Sequence, residues 1–164
     1  MKIFIVNGYM ESGKGAFEEF VGKNLNGKVG VTSMVAYVKQ IAEKLGWNGQ
    51  KDEKSRKFLC DLKDLLDDWD DSPFATTCMM VEQMKNDDVK CCFIDSRTPS
   101  DIQRLKERLG AKTIFVRRGI KQNYTNHADN NVELYTYDIE IDNTGTLEEL
   151  EQKAIEFINT ELED

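Results

Sequence analysis

Ile3-Phe4-Ile5-Val6-Asn7-Gly8-Tyr9-Met10-Glu11-Ser12-Gly13-Lys14-Gly15-Ala16-Phe17 is the stretch whose reading decides the fold. The short apolar run Ile3 to Val6 reads as a buried strand, and a helical pattern opens directly after Gly15. A strand that feeds a tight turn into a helix start leaves several backbone N–H groups converging on one point, which is what a polyphosphate needs. Gly8 and Gly13 allow backbone conformations that a side chain would forbid, and Lys14 can reach outer phosphates as a point charge. The stretch fits the order strand, GxxxxGK, helix, with Gly8, Glu11, Ser12, Gly13, Lys14, Gly15 and Ala16 as candidate phosphate-binding positions. One departure stands out. Gly15 occupies the position from which a Ser or Thr hydroxyl would hold Mg²⁺, and Ala16 supplies no hydroxyl either. Any Mg²⁺ is then expected on phosphates, water and a distant carboxylate, and weak or absent catalysis stays open.

Working outward, 164 residues suffice for one α/β domain with a real core and are too few for two comfortable ones, so 1–164 reads as a single domain. A composition of 40% apolar and 32% charged residues is that of a soluble globular chain. The net charge of −8 argues against a broad surface for nucleic acid polymers or anionic membranes, so an anion site must be local. The N-terminal apolar run is too short for a signal peptide, and no segment reaches membrane-spanning length. Cys60, Cys78, Cys91 and Cys92 form no CxxC pair and have no His cluster nearby. They read as reduced thiols of a cytoplasmic protein, with Cys91 and Cys92 on opposite faces of one strand.

Strand and helix signals alternate, which predicts a parallel sheet with helices on both faces. Val29-Gly30-Val31, Val89 to Ile94, Thr113 to Val116 and Tyr137 to Ile141 are the further strands expected. Ser33 is expected to cap a helix that stops at Gly46, and Asp52 to start another that the acidic cluster Asp67 to Asp71 ends. Ser72-Pro73 opens a fourth helix, and Leu147 to Ile158 closes the chain. Thr98-Pro99-Ser100-Asp101 opens a helix ending at Gly110, with Asp101 in a capping box with Thr98 or in contact with substrate.

Two further constellations carry chemistry. Asp95 ends a buried strand at the carboxyl edge of the sheet, where open α/β folds bind ligands. If the strands of Asp95 and Val6 are parallel neighbours, Asp95 faces the glycine loop. There it can hold a Mg²⁺ water, and Arg97 can reach a phosphate or lock the carboxylate; the alternative is a capped turn with Arg97 as its ion pair. Arg117-Arg118-Gly119 follows another strand and leads into a polar run to Thr136. That pattern suits a lid closing over phosphates, or else a solvated basic turn. His127, within the run, reads as a surface residue.

The order GKG loop, Asp-x-Arg-x-Pro at Asp95 to Pro99, then Val116-Arg117-Arg118, resembles the phage-type deoxynucleoside monophosphate kinases and their bacterial relatives. Gly13-Lys14-Gly15 is also similar to the loop of adenylate kinases, and Asp142 to Leu150 to the family's last strand and helix. The middle segment, Val38 to Ala42 with Leu45 to Gly49 and Lys51 to Arg56, is similar as well. The resemblance implies a three-layer P-loop NTPase fold of the nucleotide kinase kind, with a parallel five-stranded sheet. It further implies a monophosphate-binding arm at about 34–72 and a lid at about 119–136, with Arg56 and, more weakly, Lys39 for the acceptor phosphate. Both could equally be solvated helix charges. ATP and Mg²⁺ are the implied cofactors and a (deoxy)nucleoside monophosphate the implied acceptor, with Lys14, Asp95, Arg97, Arg117 and Arg118 as catalytic candidates, Arg97 also touching substrate. A non-catalytic nucleotide-binding module, or a kinase of phosphomevalonate or dephospho-coenzyme A, remains as an alternative. The base, the sugar and the oligomeric state are left open.

Overall fold

A computed structural model of the chain describes residues 1–119 and 132–163. The first strand, β1 (Lys2–Asn7), is buried from Ile3 onward, and the loop Gly8 to Gly13 joins it to α1 (Lys14–Asn24). Then come β2 (Lys28–Ser33), α2 (Ala36–Lys44), α3 (Glu53–Asp70), α4 (Ser72–Asn86) and β3 (Val89–Asp95). The chain continues through α5 (Pro99–Leu109), β4 (Lys112–Arg117), a 3₁₀ turn at Val132–Leu134, β5 (Ile139–Asp142) and α6 (Leu147–Phe157).

The five strands form one parallel sheet in the order β2-β3-β1-β4-β5. This makes β1 the middle strand, and its apolar run is what a strand covered on both faces requires. Strand alternation divides the core. Phe4, Val6, Cys91 and Phe93 face α1 and α6, where Phe17, Val21, Leu150 and Phe157 meet them. Ile3, Ile5, Cys92 and Ile94 face the other way, toward Met34, Val81 of α4, and Ile102 and Leu105 of α5. Cys91 and Cys92 therefore do lie on opposite faces, and burial pushes both thiols up to about 12. The ring of Phe157 sits 4.9 Å from Phe4 and 5.3 Å from Phe17, centroid to centroid. Edge-on contacts of this kind contribute roughly 0.5–1.5 kcal/mol each and seat the start of α1 on the middle strand.

Several local expectations are corrected. Ser33 ends β2 and caps nothing; the N-cap of α2 is Val35, without a side-chain bond. Thr98 does precede α5, yet its side chain makes no cap bond. Asp101 instead accepts from Lys63 Nζ of α3 at 2.9 Å, an ion pair with both partners largely buried. The last strand is Ile139–Asp142, because Tyr137 is drawn off to bond Asn7, and its hydroxyl donates to the Val132 carbonyl. Asp52 caps α3 as expected, accepting from Ser55 N–H at 2.7 Å. No residue of α3 is buried: the helix lies across α2 and α4, outside the layers on the sheet.

Candidate functional site

Two glycines fix the path of the loop, each for a steric reason. A Cβ on Gly8 (φ 153°) would lie 2.5 Å from the Val116 carbonyl oxygen of β4. On Gly13 (φ 94°) it would lie 2.2 Å from Asn143 Nδ2. Neither separation is tolerable, so the close approach of the loop to the sheet edge depends on bare backbone at both positions. Gly15 differs, since its Cβ would meet open space. Glu11 is left-handed at φ 60°, a conformation that costs a non-glycine residue about 1 kcal/mol.

Buried amides clamp the loop at both ends. Asn7, wholly buried at the end of β1, accepts from Gly8 N–H at 2.8 Å through Oδ1. Its Nδ2 donates to Tyr137 Oη at 2.7 Å and to the Arg97 carbonyl at 3.3 Å, tying together the segments after β1, β3 and the 3₁₀ turn. Asn143, just beyond β5, donates to the Ser12 carbonyl at 2.8 Å. α1 then starts from Gly13, which offers its leading N–H groups no side-chain cap, and no acidic residue stands in its first turn. Such a helix start favours an anion. Lys14 Nζ donates to the carbonyls of Gly8 at 2.8 Å and Tyr9 at 3.0 Å, so its ammonium stands over the loop.

Asp95 is the register partner of Val6 on β1 and of Ser33 on β2, and alternation turns it to the face covered by α1. Burial raises its carboxyl above the usual range, opposed by the charges of Lys14, Arg97 and Lys39. The same face receives Glu18, which sequence reasoning missed. Glu18 stands four residues after Lys14 on the inward side of α1, between buried Phe17 and Val21, and is only 6% exposed. Burial first, then the charge of Asp95, pushes its carboxyl up to about 8, with Lys14 opposing. Glu18 Oε1 and Asp95 Oδ1 are both buried without a hydrogen-bond partner among the described residues, as are the hydroxyls of Ser12 and Ser96. The i, i+4 spacing of Lys14 and Glu18 was the available signal, since it places both on one helix face.

The remaining candidates sit as follows. Arg97 is exposed beside Asp95 and acts on it by charge. Arg118 donates to the Glu11 carbonyl at 3.4 Å, placing a guanidinium on the glycine loop. Arg117 turns the other way, ion-pairing with Glu140 of β5 and lying 5.1 Å from the Phe115 ring. Lys39 is exposed on α2 within electrostatic reach of Asp95. Arg56 is exposed in the first turn of α3, where its charge acts on Asp52. Ala16, half-buried on α1, packs against the core between α1, α6 and the sheet. His127 and most of the expected lid, residues 120–131, lie outside the described residues. Among the described residues no three His, Cys, Asp or Glu side chains form a metal cage, and no helix is long and apolar enough to cross a membrane.

Comparison with solved structures fits this architecture. The chain is similar to the Thermus thermophilus protein TT1252, with a TM-score of 0.59 and 14% identity over 98% of this chain and 97% of that one. It is similar to a Janibacter sugar kinase at TM-score 0.56 and 11% identity, covering 98% and 96% of the two chains. A shikimate kinase from Aquifex aeolicus superposes at TM-score 0.51 and 15% identity, covering 97% and 96%. The chain has the P-loop kinase fold. No protein-family model matches the sequence, and no curated protein matches it. These similarities do not single out the phage-type deoxynucleoside monophosphate kinases from other P-loop kinases.

Proposed function

We propose that the chain transfers the γ-phosphoryl group of ATP to a small phosphorylated acceptor, a (deoxy)nucleoside monophosphate, in the cytoplasm. The observation that carries this reading is the juxtaposition at the end of β1. A glycine loop held open by Gly8 and Gly13, with Lys14 over it, stands beside the carboxyl of Asp95 on the neighbouring strand. Phosphoryl transfer asks little covalent chemistry of a protein; it asks that donor and acceptor be aligned and their charge offset. Lys14, Arg97 and Arg118 supply positive charge around the loop, and Arg117 would join them only after leaving Glu140. An acceptor phosphate is already ionised, so no general base is required.

In this reading α2 and α3 lie within the acceptor arm, 34–72, with Arg56 and Lys39 for the acceptor phosphate, and 119–136 is the lid. Mg²⁺ would be held at Asp95, whose buried, unpartnered Oδ1 suits a hard cation, and would supply positive charge against the phosphates. Gly15-Ala16 favours a second reading, a module that binds nucleotide without turning it over. One panel separates the two: ADP release measured with each nucleoside monophosphate, and with phosphomevalonate, dephospho-coenzyme A, shikimate and simple sugars. Release with a monophosphate alone supports the proposal. Tight ATP binding without release for any acceptor supports the silent module.

A further inference from the structure

We infer that Glu18 is a second carboxylate of the divalent-cation site, standing in from α1 for the hydroxyl that Gly15 lacks. The inference rests on the nucleotide-site reading above and deepens it. Four observations on this chain carry it. Glu18 is only 6% exposed, yet its Oε1 has no hydrogen-bond partner among the described residues. Leaving a carboxyl oxygen so placed is unfavourable unless something binds it. Asp95, on the sheet face that α1 covers, has a buried unpartnered oxygen as well. Glu18 follows Lys14 by one helical turn, so the helix presents both side chains along the side that lies against the sheet. Finally, an open cleft of about 520 Å³ runs between α1 and the edge strand β2, with Gly15, Glu18 and the exposed Glu19 on its helix side and Val29 and Val31 on its strand side. It gives Glu18 a path to solvent next to the empty space at Gly15.

Two carboxylates are too few to cage a cation alone, in keeping with the absence of a three-ligand cluster among the described residues. They are the number Mg²⁺ uses when phosphates and water complete its octahedron. Glu18 and Asp95 thus form half a site, completed by the bound nucleotide.

The test uses Mn²⁺ as the probe and the whole protein with ADP, following free Mn²⁺ by electron paramagnetic resonance. Glu18→Gln is expected to weaken Mn²⁺ binding to the ADP complex by about tenfold or more. Affinity for ADP in chelator should stay near the parent's, since without metal the amide replaces a buried carboxyl of the same shape. Glu19→Gln, the exposed neighbour, should leave Mn²⁺ binding as in the parent. Gly15→Ser placed in the Glu18→Gln background should recover part of the lost affinity, because the open space at Gly15 admits a hydroxyl. The folded state of each variant is checked by its thermal transition, and Gly15→Ser alone, which adds a hydroxyl in open space and disturbs no buried group, should raise Mn²⁺ affinity in the ADP complex even where Glu18→Gln folds poorly. Mn²⁺ affinity of Glu18→Gln within twofold of the parent, with ADP bound, overturns the inference alone. Failure of the parent to bind ADP at all overturns the nucleotide-site reading and this inference with it.

Discussion

Asn143 and Ser12 are 131 residues apart in sequence, and Asn143 Nδ2 donates to the Ser12 carbonyl at 2.8 Å in a fully buried contact. The bond ties the glycine loop to the end of β5, so the geometry of a local motif depends on the last strand of the sheet. Asn143→Ala removes the donor and leaves a buried carbonyl without its partner, a loss of about 1–3 kcal/mol. The variant is expected to melt several degrees below the parent and to bind ATP more weakly, as measured by thermal melting and titration calorimetry.

Gly13 and Gly15, two residues apart, should respond oppositely to the same change. Gly13→Ala sets a Cβ against Asn143 Nδ2 at a backbone φ of 94°, so both sterics and conformation oppose it. Gly15→Ala meets nothing within 4 Å and sits within a helix, where alanine is favoured by roughly 1 kcal/mol. Denaturant midpoints should fall for Gly13→Ala and hold or rise for Gly15→Ala. Equal midpoints for the two would contradict the loop geometry.

Glu18 and Asp95 give the unliganded, metal-free protein a pH dependence of defined sign. Both folded-state carboxyls are raised, Glu18 from 4.5 to about 8, first by burial and then by the charge of Asp95. The folded chain therefore holds more protons than the unfolded one between those values, and stability falls as pH rises. The full contribution is present below about pH 4.5 and is lost as pH passes about 8. Melting temperatures across pH 5 to about 9 should decline in the parent and decline less steeply in Glu18→Gln, where only the raised Asp95 remains.

The sequence made the fold legible where local pattern and global packing agree. The apolar run of β1, the glycine loop and the alternating strands and helices lead to the parallel sheet observed. Asp52 at the start of α3 and Gly110 at the end of α5 act as their residue types indicate. The misreadings arise where a distant partner outcompetes a local one. Asp101 has the spacing of a cap but answers to Lys63 on α3, and Tyr137 looks like a strand residue but bonds Asn7. The candidate site was legible only in part for the same reason. Lys14 and Asp95 follow from a motif and a strand end, whereas Glu18, Asn7 and Asn143 matter through what the fold brings beside them. An acidic residue in an amphipathic helix ordinarily faces water, and beyond its i, i+4 spacing from Lys14 it is the seating of α1 on β1 and β3 that reveals that Glu18 does not.

In the proposed reaction the Lys14 loop delivers a phosphoryl group from ATP to a small acceptor. Following the γ-phosphate label of ATP into a nucleoside monophosphate tests it most directly, with parent protein and Lys14→Ala side by side. Label should appear in the monophosphate with the parent and Mg²⁺ and fall below detection with Lys14→Ala, whose thermal transition without ligand should stay near the parent's. Label that stays on ATP with every acceptor, or that moves equally well with Lys14→Ala, would contradict the account.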